Sequence, residues 1–180
     1  TSFFDITSTL PWPNAIGKRT AVGPLVGAAE SEAISELAKT TPLILVITAT
    51  TAAAHNLASE LPFFLSDDRE ILLVPDWETL PYDNFSPHED IVSDRLKALS
   101  RLPTLKSGVV IVSVTTLMHR LAPRHFIDAG VLSLKTGETL DAGQFVRNLT
   151  RNGYRSVDTV YEHGEFATRG SLLDVFPMGS

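Results

Sequence analysis

Three short runs of this chain are apolar at nearly every position rather than at alternate ones: "LILVI" at 43–47, "ILLV" at 71–74 and "VVIVSV" at 109–114. Continuous runs of this length predict strands covered on both faces, as in a parallel sheet. Between them, apolar positions recur at helical spacing. Ala33, Ile34, Leu37 and Ala38 mark one face of a helix, and Ala54, Leu57, Ala58 and Leu61 mark a second. Ile91, Val92, Leu96 and Leu99 mark a third. Strand–helix–strand units predict a parallel sheet with right-handed crossovers, and so an α/β fold.

The third helix carries the clearest start signal. Ser86 suits the cap, Pro87 the first helical position, and Glu89 completes a capping box. The loop before it, "PDWETLPYDNF" (75–85), leaves the carboxyl end of a strand, where open α/β sheets place their sites. After residues 121–126 the pattern changes. "VLSLK" (131–135) reads as a strand, and residues 141–153 as a helix with Asp141 as cap, Gln144 three positions on and Gly153 as its stop. "SVDTVYE" and "EFATRGSLLDVF" then read as antiparallel strands around a turn at His163–Gly164. The expected division is therefore an α/β domain over 1–125 and a smaller α+β domain over 126–180, cut short at "FPMGS".

Charge and composition narrow the function. The chain has 180 residues, 43% of them apolar and 20% charged, which is the profile of a folded domain. Its 15 basic and 21 acidic side chains leave a formal charge of −6, against an unaided grip on a phosphate backbone. The absence of cysteine excludes disulfides, zinc ribbons and thiol nucleophiles. No apolar run approaches the ~18 residues of a membrane helix, and "TSFFDITSTLPWP" lacks the basic flank of a signal peptide, so the chain reads as cytoplasmic with no membrane partner.

The stretch "VGPLVGAAESEAISEL" (22–37) stands where an α/β protein often keeps a phosphate loop. Such a loop needs converging backbone N–H groups, a lysine and a hydroxyl for magnesium. Registering Gly27 with its central glycine puts Pro24 at the outer glycine, Ala29 at the last glycine, Glu30 at the lysine and Ser31 at the hydroxyl position. A carboxylate in the lysine position repels a triphosphate by several kcal/mol, the order for unit charges ~4 Å apart at an effective dielectric of ~20. The helix dipole offsets only ~1 kcal/mol of that. The loop is degenerate, and Glu30 reads most simply as a first-turn acid complementing the helix N-terminus. No bound cofactor, catalytic group or metal is expected.

Other chemistry is thin. Asp76, Glu78, Asp83, Glu89, Asp90 and Asp94 crowd one segment without a recognised ligand spacing. The five histidines form no metal pair, and His163 reads as a turn residue. Arg147, Arg151 and Arg155, and the group Arg120, Arg124 and His125, read as solvated faces. Arg169, in "FATRGS", lies between strands, where a forked guanidinium can meet a carboxylate or backbone. A nucleotide-binding helicase-type enzyme and a DNA-binding module using the arginines at 147–155 stay open on these grounds.

Long ungapped stretches carry a further signal. "DWETLPYDNFSPHEDIVSDRL" (76–96), "GVVIVSVTTLMHRLAP" (108–123) and "GYRSVDTVYEHGEFATRGSLLDVFPMGS" (153–180) closely resemble the N-terminal region of the bacterial transcription-repair coupling factors, the Mfd family, over roughly residues 20–180. That region is similar in turn to the damage-recognition protein UvrB, with a helicase-type domain 1A followed by a domain 2 that docks onto UvrA. The resemblance implies a UvrB-like adaptor whose nucleotide loop has decayed, consistent with Pro24, Ala29 and Glu30. It also implies that the link between Leu80 and Asp94 lacks the long tyrosine-rich hairpin with which UvrB threads DNA strands. Arg169 matches the UvrA-contacting arginine of the family's "ATRG" strand, and Arg155 is a nearby candidate on the same face. The parent would be an ATP-dependent DNA translocase, with ATP and magnesium in a separate motor. RNA polymerase and DNA would be bound by other parts of it.

Overall fold

A computed structural model describes residues 10–13, 15–66, 68–80, 82–130 and 134–179. The periodicities become α1 (Ala29–Thr40), β1 (Leu43–Thr48), α2 (Thr51–Glu60), β2 (Glu70–Val74), α3 (Glu89–Arg101) and β3 (Gly108–Ser113). There follow the short α4 (Val114–Leu117), α5 (Arg124–Gly130), α6 (Ala142–Arg151), β4 (Arg155–Ser156), β5 (Glu165–Arg169) and β6 (Leu172–Phe176). Contacts divide the chain into two units, residues 1–73 with 105–117 and residues 74–104 with 118–180. Among the described residues no helix is long and apolar enough to cross a membrane.

The first sheet is a three-stranded parallel one in the order β1-β3-β2. β3 is central and buried at every position, and it pairs in parallel with β1 from Leu43↔Gly108 to Thr48↔Ser113. Gly108 is required where β3 begins: its φ is +148°, and a Cβ there would sit 2.3 Å from the Glu70 carbonyl oxygen. The predicted helical faces of α1 and α2 cover one side of the sheet. Ala38, Ala54, Leu57 and Leu61 close there on Ile44, Val109 and Ile111. The Arg69 guanidinium donates to the carbonyls of Ala38, Thr41 and Pro42, satisfying the end of α1 as the chain turns into β1.

β1 departs from expectation. Leu43, Leu45 and Ile47 are 44%, 57% and 51% exposed, whereas Ile44 and Thr48 are buried. The strand lies at the sheet edge, and within the described residues only one of its faces is covered. An unbroken apolar run is the same in a central and an edge strand, so this difference is invisible in the local pattern.

In the second unit, α3 starts at Glu89 rather than Pro87, and its cap is His88, not Ser86. The His88 Nδ1 accepts the Asp90 N–H at 3.3 Å, an imidazole lone pair doing what a hydroxyl does elsewhere. The most buried positions of α3 are Ser93, Arg95 and Ala98, while the four expected apolar residues are half-buried. α6 follows its signals: Asp141 accepts the Gln144 N–H at 2.9 Å, and Gly153 holds a φ of +85° just past the helix. Its Phe145 and Leu149 pack on Phe166, joined by Tyr154, Leu173 and Val175.

The second sheet is mixed, in the order β4-β5-β6. β5 and β6 are antiparallel, from Glu165↔Phe176 to Arg169↔Leu172, but β4 runs parallel to β5. "SVDTVYE" is therefore not a strand beyond Ser156, and the antiparallel return is at Gly170–Ser171. Val157 and Val160 explain the error: they are three positions apart, not two, and both are half-buried as anchors of a loop. The expected turn at His163–Gly164 is present, with Gly164 at φ +80°, yet it feeds β5 from that loop. Of the strand expected at 131–135, residues 131–133 lie outside the described residues, and Leu134 and Lys135 are not in a strand.

Candidate docking surface and the glycine loop

The geometry of the glycine loop decides what α1 offers a ligand. Gly27 has φ +63°, a left-handed turn that opens into α1 two residues later. Ala28 caps the helix without a side-chain hydrogen bond, and Glu30 and Glu32 stand in the first turn. Glu30 is exposed and Ala29 half-buried. Ser31 is wholly buried, and its hydroxyl donates to the Glu60 carboxylate at 3.1 Å. The helix end thus faces carboxylates of its own chain, which complement its partial positive charge.

The acidic segment 76–94 is used to shape its own backbone. Asp76 accepts the Glu78 N–H at 3.2 Å, and Asp83 accepts the Leu80 N–H at 2.7 Å. Glu78 and Tyr82 hold positive φ values of 56° and 74°, uncommon for residues with side chains. Beneath this loop lies Arg95, 2% exposed. Its guanidinium donates to the Pro75 carbonyl and stacks 4.2 Å from the Trp77 ring. Burial lowers its pKa, opposed by the charge of Asp76. Among the described residues no group of three or more His, Asp or Glu side chains is placed to hold a metal ion.

Ser93, His163 and Asp90 together imitate a hydrolytic triad. Ser93 Oγ lies 3.3 Å from His163 Nδ1, and His163 Nε2 lies 4.0 Å from Asp90. The imitation fails chemically. Nδ1 is also 2.7 Å from the Pro177 carbonyl, which can only accept, so Nδ1 carries the proton and cannot take one from serine. Ser93 is 1% exposed and accepts the Gly179 N–H at 2.8 Å. The set ties the segment after β6 to α3, with the His163 ring 4.1 Å from that of Phe176.

Arg169 and Arg155 both bond to the residues that link β4 to β5. Arg169 ends β5, and its Nη2 donates to the Asp158 carbonyl at 2.7 Å and to Thr159 Oγ1 at 3.0 Å. Arg155, at the other end of the same loop, pairs with Glu162 at 2.9 Å and with Glu165 at 3.4 Å. Glu165 Oε2 accepts the N–H groups of Tyr161 and Glu162 at 2.9 and 3.0 Å. Those two backbone bonds, with the nearby Arg155, hold the Glu165 carboxyl below its ordinary pKa. Sequence reading missed Glu165, whose two backbone bonds exist only because the chain before β5 turns back toward it. Arg147 and Arg151, on α6, are exposed, and so are Arg120 before α5 and Arg124 and His125 within it.

This surface brings together a short clamped loop, a β-hairpin and an arginine that binds the loop through one edge of its fork. Residues 132–180 match the family model of the UvrB interaction domain. The chain is 45% identical over 170 residues to the transcription-repair-coupling factor of Escherichia coli K12, covering 93% of this chain and 14% of that protein. It is 44% identical over 160 residues to that of Haemophilus influenzae Rd, covering 88% and 14%. With that of Mycobacterium tuberculosis CDC 1551 the identity is 40% over 151 residues, covering 79% and 12%. The chain is a homologue of the transcription-repair-coupling factors, and spans about one-seventh of the length of these relatives.

Proposed function

We propose that this segment is a non-enzymatic, UvrB-like adaptor that recruits UvrA in transcription-coupled nucleotide excision repair. The observation that carries the reading is the match of residues 132–180 to the UvrB interaction domain, within which Arg169 and Arg155 each bond to the loop between β4 and β5. The docking domain is taken to begin near residue 126, after a 1A-type domain over 1–125. The degenerate glycine loop supports the adaptor side of the reading: Glu30 replaces the cationic clamp and Ser31 is engaged by Glu60. The α/β unit then serves as a rigid platform. In the parent, ATP and magnesium belong to a separate translocase motor that displaces stalled RNA polymerase from DNA in the cytoplasm.

Two measurements test this. Arg169→Glu in the full-length protein is expected to abolish capture of UvrA, because charge reversal both repels an acceptor and releases the loop; undiminished capture removes Arg169 from the surface. Isothermal titration of this chain with Mg-ATP is expected to show no binding. A micromolar constant would instead favour a nucleotide-binding helicase-type domain.

A further inference from the structure

We propose that Tyr161 is the anchor of the docking surface, presented to UvrA by a loop that Arg169 and Glu165 hold against β5. This deepens the adaptor reading and rests on it. The loop 157–162 is secured at both ends from the same side of one strand, since Glu165, Ala167 and Arg169 alternate along β5. Arg169 grips Asp158 and Thr159, Glu165 grips the backbone of Tyr161 and Glu162, and Val157 N–H donates to the Phe166 carbonyl at 2.9 Å. Ala167, between the two grips on the same face of β5, is 1% exposed. Val157 and Val160 are half-buried, yet Tyr161 is 78% exposed.

An aromatic held out by a rigid loop loses little freedom when it enters a partner's pocket. Tyrosine and arginine are also the residues that most often dominate interface energetics. Arg169 spends only Nη2 on the loop, which leaves Nε and Nη1 without partners among the described residues. Its cross-strand neighbour Leu172 is 67% exposed. The occupant that fits is a protein surface with an apolar pocket beside a carboxylate or a row of carbonyls. Asp158, Glu162 and Asp174 are exposed around the patch, which opposes a nucleic-acid backbone. Arg169 is in this arrangement a positioning residue for Tyr161 as well as a contact.

The test measures UvrA affinity for the full-length protein and for Tyr161→Ala, Tyr161→Phe, Glu165→Gln and the double variant Tyr161→Ala/Glu165→Gln, with melting temperatures alongside. Tyr161→Ala is expected to weaken binding at least tenfold with an unchanged melting temperature, and Tyr161→Phe to bind nearly as the parent does. Glu165→Gln is expected to weaken binding by loosening the loop, and to add little once Tyr161 is gone, the non-additivity of a positioning residue. Parent-like affinity of Tyr161→Ala, with capture still abolished by Arg169→Glu, would overturn the anchor while leaving the adaptor reading intact. Loss of affinity that accompanies a lowered melting temperature would overturn it too, by making Tyr161 structural. Failure of the unaltered protein to bind UvrA would end both.

Discussion

The Glu165 carboxylate accepts two backbone N–H groups and lies 3.4 Å from Arg155, and each of these contacts favours its ionised form. Its native pKa is therefore depressed below the ordinary value of 4.5. The stabilisation it contributes is fully present above that value and is lost as pH falls through the native one. Denaturant midpoints of the unaltered protein and Glu165→Gln are expected to differ at neutral pH, and the gap to narrow as the pH is lowered below 4.5 through the depressed native pKa; a gap that stays constant on acidification would contradict the assignment. The same scale separates what can be read from what cannot. Arg169 was identifiable as a forked donor near strands, but that one edge of it closes on Asp158 and Thr159 follows only from the path of the loop. Arg95 is buried beneath Trp77, where a flat guanidinium can stack on an indole while donating to the Pro75 carbonyl, and both partners meet it only through the tertiary path of the 75–85 loop.

Local signals carry furthest at the scale of the element. α6 begins and ends where Asp141 and Gly153 require, since a cap acts on N–H groups two or three residues away and needs nothing distant. Asp141→Ala is expected to cost about 1 kcal/mol of stability, read from urea unfolding followed by circular dichroism, and Asp141→Ser to restore most of it. The start of α3 shows the limit. Ser86 and His88 both offer an acceptor near the first turn, and the choice between them turns on where the preceding loop releases the chain. β4 shows it again: two residues pair in parallel with β5, an arrangement that no alternation of Ser156, Val157 and Asp158 encodes.

At the scale of the whole molecule, the α/β core is legible because burial of apolar surface is the largest stabilising contribution and its periodicity is written along the chain. Ile111, 0% exposed on the central strand, is expected to cost about 2–5 kcal/mol when truncated to alanine. Leu45, equally apolar but 57% exposed on β1, is expected to change stability by less than about 0.5 kcal/mol. Equal costs measured by chemical denaturation would refute the placement of β1. The amino-acid pattern by itself determined the α/β class, the four longer helices α1, α2, α3 and α6 with the Asp141 cap of the last, the unsuitable charge at Glu30 and the homology that points to repair, since each of these depends on neighbours along the chain or on residue identity alone. Which strand lies at the edge, which hydroxyl meets Glu60, and how Arg169 and Glu165 hold Tyr161 outward were decided by tertiary structure, because those energies arise only when residues far apart in sequence come within hydrogen-bonding reach.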